Sequence, residues 1–144
     1  MSLDGAYEDS NIFARIVRGE ILCARIYEDD KVLAFMDAFP QTRGHCLVIH
    51  KISHARNLLD AEPQTLTELI LAVQKVSRAV RAALKPDGTT VTQFNGAPAG
   101  QSVFHLHFHI LPRFEGVALG AHGRGQALPE ELAQLAAQIA AEID

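Results

Sequence analysis

Residues Phe104-His105-Leu106-His107-Phe108-His109-Ile110 alternate without exception between apolar side chains and imidazoles. A period of two belongs to an extended strand, whose successive side chains point to opposite faces of a sheet. Leu106, Phe108 and Ile110 then face a core, while His105, His107 and His109 form a row on the other face. The fold must therefore cover one side of this strand with apolar structure and accommodate three titratable rings on the other. A lone histidine would be unremarkable packing, but three on one strand face have little purpose as decoration.

The rest of the chain supplies what such a strand needs. Ile12, Phe13 and Ile16 stand at helical spacing within Asn11 to Arg18, and Ile21 to Tyr27 reads as a strand. Asp29-Asp30 marks a turn, Val32 to Asp37 and Cys46 to Ile49 read as strands, and Phe39 to Gly44 is loop chemistry. Leu66, Leu69, Ile70, Val73, Val76, Val80 and Leu84 repeat with a helical period between Pro63 and Pro86-Asp87-Gly88. Thr89 to Phe94 reads as a strand, 95–100 as a tight loop, and Val103 to Leu111 as the histidine strand, closed by Pro112. Leu132, Leu135, Ile139 and Ile143 mark a last helix opened by Pro129. The fold class expected is α+β, a mainly antiparallel five-stranded sheet carrying two principal helices.

At 144 residues, with no repeat or low-complexity linker, the chain reads as a single domain over 1–144. Within it, 1–10 is an N-terminal tail, 114–127 a mobile glycine-rich loop and 128–144 the C-terminal helix. Thirteen Lys and Arg against 17 Asp and Glu give a formal charge of −4, and no basic run offers a footprint for nucleic acid. Apolar stretches are interrupted well short of the ~20 residues of a membrane helix, and the acidic N-terminus is unlike a secretory signal, so a cytoplasmic protein is expected. Cys23 and Cys46 are too few for a disulfide framework and read as small core residues in a reducing compartment.

Two chemistries can use a row of imidazoles. Alternate strand residues can converge on a metal ion, because neutral imidazole is a common ligand for zinc, copper or iron. Alternatively, one imidazole attacks phosphorus while its neighbours donate hydrogen bonds to phosphate oxygens in the transition state. Gly100-Gln101-Ser102, just before the row, favours the second: close-approach backbone, an amide and a hydroxyl suit a phosphate better than the carboxylates of a metal's outer shell.

The run from Gly100 to Arg113, read with Asn11-Ile12-Phe13, Tyr27-Glu28-Asp29, Leu33 to Asp37 and Gly44 to Ile49, resembles the histidine triad nucleotide hydrolases and transferases. The resemblance extends from about Asn11 to Arg113. It implies a homodimer, a purine nucleotide substrate, no cofactor, and cleavage at the α-phosphate through a nucleotidyl-histidine intermediate that releases a nucleoside monophosphate. His107 would be the nucleophile, its tautomer fixed by a backbone carbonyl. His109 and His45 would contact phosphate or support the nucleophile, and His105 would shape the site. Asp37 matches the acid that accepts hydrogen bonds from ribose hydroxyls, and Asn95, Gln101 and Ser102 match positions near phosphate and leaving group. Ile12, Phe13, Ile16, Phe35 and Leu47 resemble the apolar wall around the purine. Many relatives carry two cysteines that help bind a structural zinc where Asn11 and Ala14 stand here, so no metal is expected. His50 and His54 are expected at the surface, and His122 in solvent. A nucleotide-binding or regulatory module without catalysis is the rival reading.

Overall fold

The computed structural model describes residues 3–121 and 125–144; His122 and Arg124 lie outside the described residues. Five strands form one antiparallel sheet: β1 (Arg25–Glu28), β2 (Val32–Met36), β3 (Cys46–His50), β4 (Gly88–Thr92) and β5 (His107–Arg113), in the order β1-β2-β3-β5-β4. Among the described residues three α-helices accompany it, a short α1 (Ile12–Val17), α2 (Pro63–Leu84) and α3 (Pro129–Ala140). The expected α+β class, sheet and pair of principal helices are all present. The first three strands run as a meander, and α2 then carries the chain to the far edge, so that β5 returns between β3 and β4.

β2 and β3 are buried at every position because both sheet faces are covered. Val32, Ala34, Met36, Cys46, Val48 and Ile110 pack under α2 and α3, whose stripes include Leu69, Val73, Val76, Val80, Leu132, Ala136 and Ile139. The alternate residues Leu33, Phe35, Leu47 and Ile49 meet Phe13 and Ile16 of α1 on the opposite face. Pro63 opens α2, and Lys85, in the left-handed region at φ 53°, closes it through a bond from its N–H to the Arg81 carbonyl. Ile70 stands off the buried stripe and is exposed.

Strand limits depart from the sequence expectation for reasons of pairing. β5 begins at His107 rather than Val103, because Ile49 opposes His107 and the partner chain turns away immediately after His50. The His50 ring drives that turn: its Nδ1 accepts from the backbone N–H groups of Ile52 (3.2 Å) and Ser53 (3.0 Å). β5 also runs through Pro112 to Arg113. The Pro112 carbonyl accepts from Thr42 Oγ1 (2.9 Å) beyond the end of the β3 ladder, where no N–H is needed. β1 is shorter than expected, and Ile21 and Cys23, ahead of it, pack against the cluster formed by Phe13, Ile16, Leu33, Phe35, Leu47 and Ile49. β4 ends at Thr92, after which the Gln93 amide bonds to the Phe94 carbonyl and Asn95 Oδ1.

Candidate active site

The register places the polar residues on the α1 face. His109 opposes Leu47 and His107 opposes Ile49, so both rings share the face of those two side chains. The same period of two puts His45 with Leu47 and Ile49, and Asp37 with Leu33 and Phe35. Met36 and Cys46 are paired, and the Asp37 N–H continues that ladder to the His45 carbonyl (3.0 Å). Asp37, His45, His107 and His109 thus meet where three neighbouring strands come together, and all four are buried.

Hydrogen bonds assign the tautomers. His107 Nδ1 lies 2.7 Å from the His105 carbonyl, which can only accept, so Nδ1 carries the proton and Nε2 the lone pair. His45 Nδ1 accepts from the Gln41 backbone N–H (3.1 Å), which leaves the ring proton on Nε2. That proton faces His109 Nδ1 at 2.9 Å, with Asp37 Oδ2 at 3.4 Å from the same nitrogen. Nδ1 of His109 is then an acceptor and its Nε2 a donor. A main-chain amide in the 38–44 loop therefore dictates, through two rings, that His109 presents an N–H.

His105 precedes the strand and is not part of the ladder. Its Nε2 donates to the His50 carbonyl (2.9 Å), and its Nδ1 lies 2.7 Å from the Tyr7 hydroxyl. Burial pushes its pKa down to about 4 against the opposing hydrogen bond to the His50 carbonyl, and the neighbouring charges of His107, His50 and His54 lower it a little further. Aromatic edges frame the row: Phe13 meets His107 edge-on at 4.8 Å between centroids, His107 meets His109 at 5.0 Å, and Phe94 lies 5.3 Å from His109.

Among the apolar residues expected around the base, Phe13, Ile16, Phe35 and Leu47 form one cluster with Leu33 and Ile49, whereas Ile12 stands outside it and is exposed. Gln101 is committed to main chain. Its Oε1 accepts from the Gly96 N–H (2.8 Å), and its Nε2 donates to the carbonyls of Arg56 (2.7 Å) and Val103 (3.0 Å). Asn95 Oδ1 accepts from the Leu58 N–H (2.9 Å), tying the β4 exit to a 3-10 turn, and Ser102 is exposed. Sequence reasoning missed Tyr7, an aromatic within an acidic segment, and Phe94. It also placed His50 at the surface, yet that ring is buried, with Nε2 2.9 Å from Glu68 Oε1 on α2. His54 is exposed as expected.

Two concavities, one of about 240 Å³ beside Lys31 and Lys75 and one of about 390 Å³ beside Arg43 and Leu132, have no histidine in their lining. Among the described residues, Asp37, His45 and His109 bring one potential ligand atom each within 4.8 Å of one another. Those atoms already serve the hydrogen-bond chain described above. At the positions of the relatives' cysteines, Asn11 Oδ1 caps α1 by accepting from the Ala14 N–H (2.9 Å), and Ala14 offers no ligand atom. A zinc site built as in those relatives does not fit this chain.

Residues 18–116 match the family model described as the HIT domain. The chain belongs to the HIT family. This HIT protein is 50% identical to a Hit-like protein from Bartonella henselae, described as involved in cell-cycle regulation and solved with an unknown ligand. The two superpose with a TM-score of 0.92 over 96% of this chain and 100% of that one. It is 41% identical to the protein hit of Bacillus subtilis (strain 168), over 90% of this chain and 91% of that protein. It is 37% identical to the adenylylsulfatase HINT3 of Arabidopsis thaliana, over 82% of this chain and 62% of the plant protein. No helix among the described residues is long and apolar enough to cross a membrane.

Proposed function

We propose that this HIT protein is a nucleotide hydrolase that cleaves purine nucleotides at the α-phosphate through a covalent His107 intermediate. Nε2 of His107 attacks the α-phosphorus in line, an N–P bond forms, and the bond to the leaving group breaks, the leaving group taking a proton. Water then attacks the same phosphorus, the N–P bond breaks with its electron pair returning to Nε2, and the water's proton passes to solvent, replacing the one the leaving group took from it; the nucleoside monophosphate leaves and the ring is neutral again. The observation that carries this reading is the 2.7 Å contact from His107 Nδ1 to the His105 carbonyl. It holds the attacking nitrogen in its basic form, and it steadies the imidazolium charge once phosphorus has bonded to Nε2.

His109 serves as a fixed donor to the phosphate oxygens, with its tautomer set by His45. Asp37, whose Oδ1 accepts from the Phe39 N–H (2.8 Å) and whose Oδ2 lies 3.4 Å from His45 Nε2, is the acceptor for the ribose hydroxyls in this reading. The base rests against the apolar surface of Phe13, Ile16, Phe35 and Leu47. Ser102, exposed before the row, serves the leaving group, while Asn95 and Gln101 support the loop behind it. The plant adenylylsulfatase supports an adenylyl group as the transferred unit. The working form in this reading is a cytoplasmic homodimer formed along β4, the sheet edge on which Val91 is exposed.

The test is a panel of adenylyl and guanylyl substrates, with phosphoramidate, sulfate and polyphosphate leaving groups, run on wild type and His107→Ala. Wild type turns over at least one class, and the variant loses about 10³-fold or more while still binding nucleotide. Binding without turnover in wild type, or turnover unchanged in the variant, refutes the catalytic reading in favour of a binding module.

A further inference from the structure

We propose that Tyr7 is a positioning residue for the nucleophile, its hydroxyl acting through His105 to hold the carbonyl that fixes the His107 tautomer. The inference rests on the covalent reading above for its kinetic consequence, but not for its geometry. Tyr7 lies 98 positions before His105 in sequence, and its hydroxyl stands 2.7 Å from His105 Nδ1. The opposite nitrogen of that ring, Nε2, donates to the His50 carbonyl at 2.9 Å. Nδ1 must therefore be the acceptor and the phenol the donor. The ring is clamped at both ends, between the N-terminal segment and the end of β3, and its own carbonyl receives the His107 proton.

The segment bearing Tyr7 is itself anchored. Arg56 Nη1 donates to the Ala6 carbonyl (3.2 Å), Asn57 Nδ2 to the Leu3 carbonyl (3.0 Å), and Arg18 Nη1 to the Asp9 carbonyl (2.8 Å). The Tyr7 ring lies flat on His54, with centroids 4.6 Å apart and planes 2° from parallel. Stacking orients the phenol independently of its hydroxyl, so packing and hydrogen bonding can be separated by substitution.

The clamp matters because His105 sits where the strand ladder has not yet begun. β5 pairing starts at His107, and the Leu106 N–H bonds to the Ala55 carbonyl (3.0 Å) in an irregular loop. The 105 carbonyl shares a peptide plane with the Leu106 N–H, so its orientation is set by that single loop contact together with the side chain of its own residue. Burial keeps His105 neutral, so its Nδ1 remains an acceptor for the phenol at neutral pH.

The experiment is Tyr7→Phe, which keeps the ring and its stacking and removes only the hydroxyl. Side-chain nitrogen chemical shifts of His105 and His107 are recorded alongside kcat, KM and the unfolding midpoint. The expected result is a fall in kcat of about three- to tenfold with KM unchanged, the size of one lost neutral hydrogen bond expressed in the transition state. With it, the His107 nitrogens move away from the fixed Nδ1–H pattern toward exchange between tautomers. A kcat within twofold of wild type with unchanged His107 shifts overturns the proposal, even if the unfolding midpoint drops. Loss of turnover in His107→Ala with no effect of Tyr7→Phe leaves the nucleophile in place and removes the tether. If wild type turns over none of the substrates, the catalytic reading fails, and the shifts alone decide whether Tyr7 holds the ring.

Discussion

Replacing Gln101 by alanine separates a clamp from a ligand contact. The side chain is 3% exposed and makes three bonds to main chain from three separate stretches, at Gly96, Arg56 and Val103. Each bond contributes about 1 kcal/mol net, and the buried Gly96 N–H left without a partner adds a penalty of about 1–3 kcal/mol. Arg56 and Val103 are half-buried, and water taking the place of the lost amide at their carbonyls would offset part of the loss. The expected cost is about 3 kcal/mol, or about 10 °C in Tm for a domain of this size. Thermal and urea unfolding at one fixed protein concentration provide the assay, with nucleotide affinity measured well below Tm. Gln101→Glu sharpens it: a carboxylate still accepts from Gly96 but faces two carbonyls, so its pKa is raised in the fold. Stability of that variant is therefore present at acidic pH and lost as pH rises through the raised pKa. A Gln101→Ala protein that melts within 1–2 °C of wild type yet loses nucleotide affinity would refute the clamp.

Gly44 has φ +90°, and a Cβ there would clash with Leu84 Cδ1 and meet Pro112 Cγ at 3.1 Å. Gly44→Ala is expected to cost about 3 kcal/mol from backbone strain and overpacking together, and to disturb the adjacent His45; unfolding by urea measures the first and turnover the second. His105 titrates near 4 in the fold and near its ordinary value when unfolded, so the unfolded chain binds more protons between those limits. Stability is accordingly retained above about pH 6.5 and falls as pH drops toward 4, by about 3 kcal/mol for this ring alone, and His105→Gln should flatten that part of the pH profile. If the Asp37, His45 and His109 cluster works as hydrogen-bonded rings, a strong chelator leaves turnover unchanged, whereas loss of activity restored by one added cation would place a metal there.

The parts of this molecule carried by periodicity were legible in the sequence. Alternation around His107 and His109 gave their common face, the helical spacing from Leu66 to Val80 gave α2, and Pro129 marked the start of α3. Local patterns of this kind act within a few residues, and tertiary contacts reinforced them. What pattern could not convey was where a strand loses its partner. β5 starts two residues after His105 because the His50 ring captures two amides and turns the neighbouring chain aside. The same blindness hid His50 itself, buried against Glu68, and the commitment of Gln101 to three backbone groups. Tyr7 was invisible for a related reason: its partner lies 98 positions away, and neither residue shares a periodic element with the other. Ile12 illustrates the opposite failure, where an apolar residue beside Phe13 falls on the solvent side of a six-residue helix.

The central claim concerns one covalent bond, and it can be looked for directly. Wild-type protein is mixed with a purine nucleotide substrate, quenched in alkali within the first turnover, digested, and the histidine-row peptide sequenced by fragmentation in a mass spectrometer. The account predicts a peptide heavier by one nucleoside monophosphoryl group, with the added mass on His107 and absent from His107→Ala. Turnover without any labelled peptide, or a label on His105 or His109 instead, would contradict it.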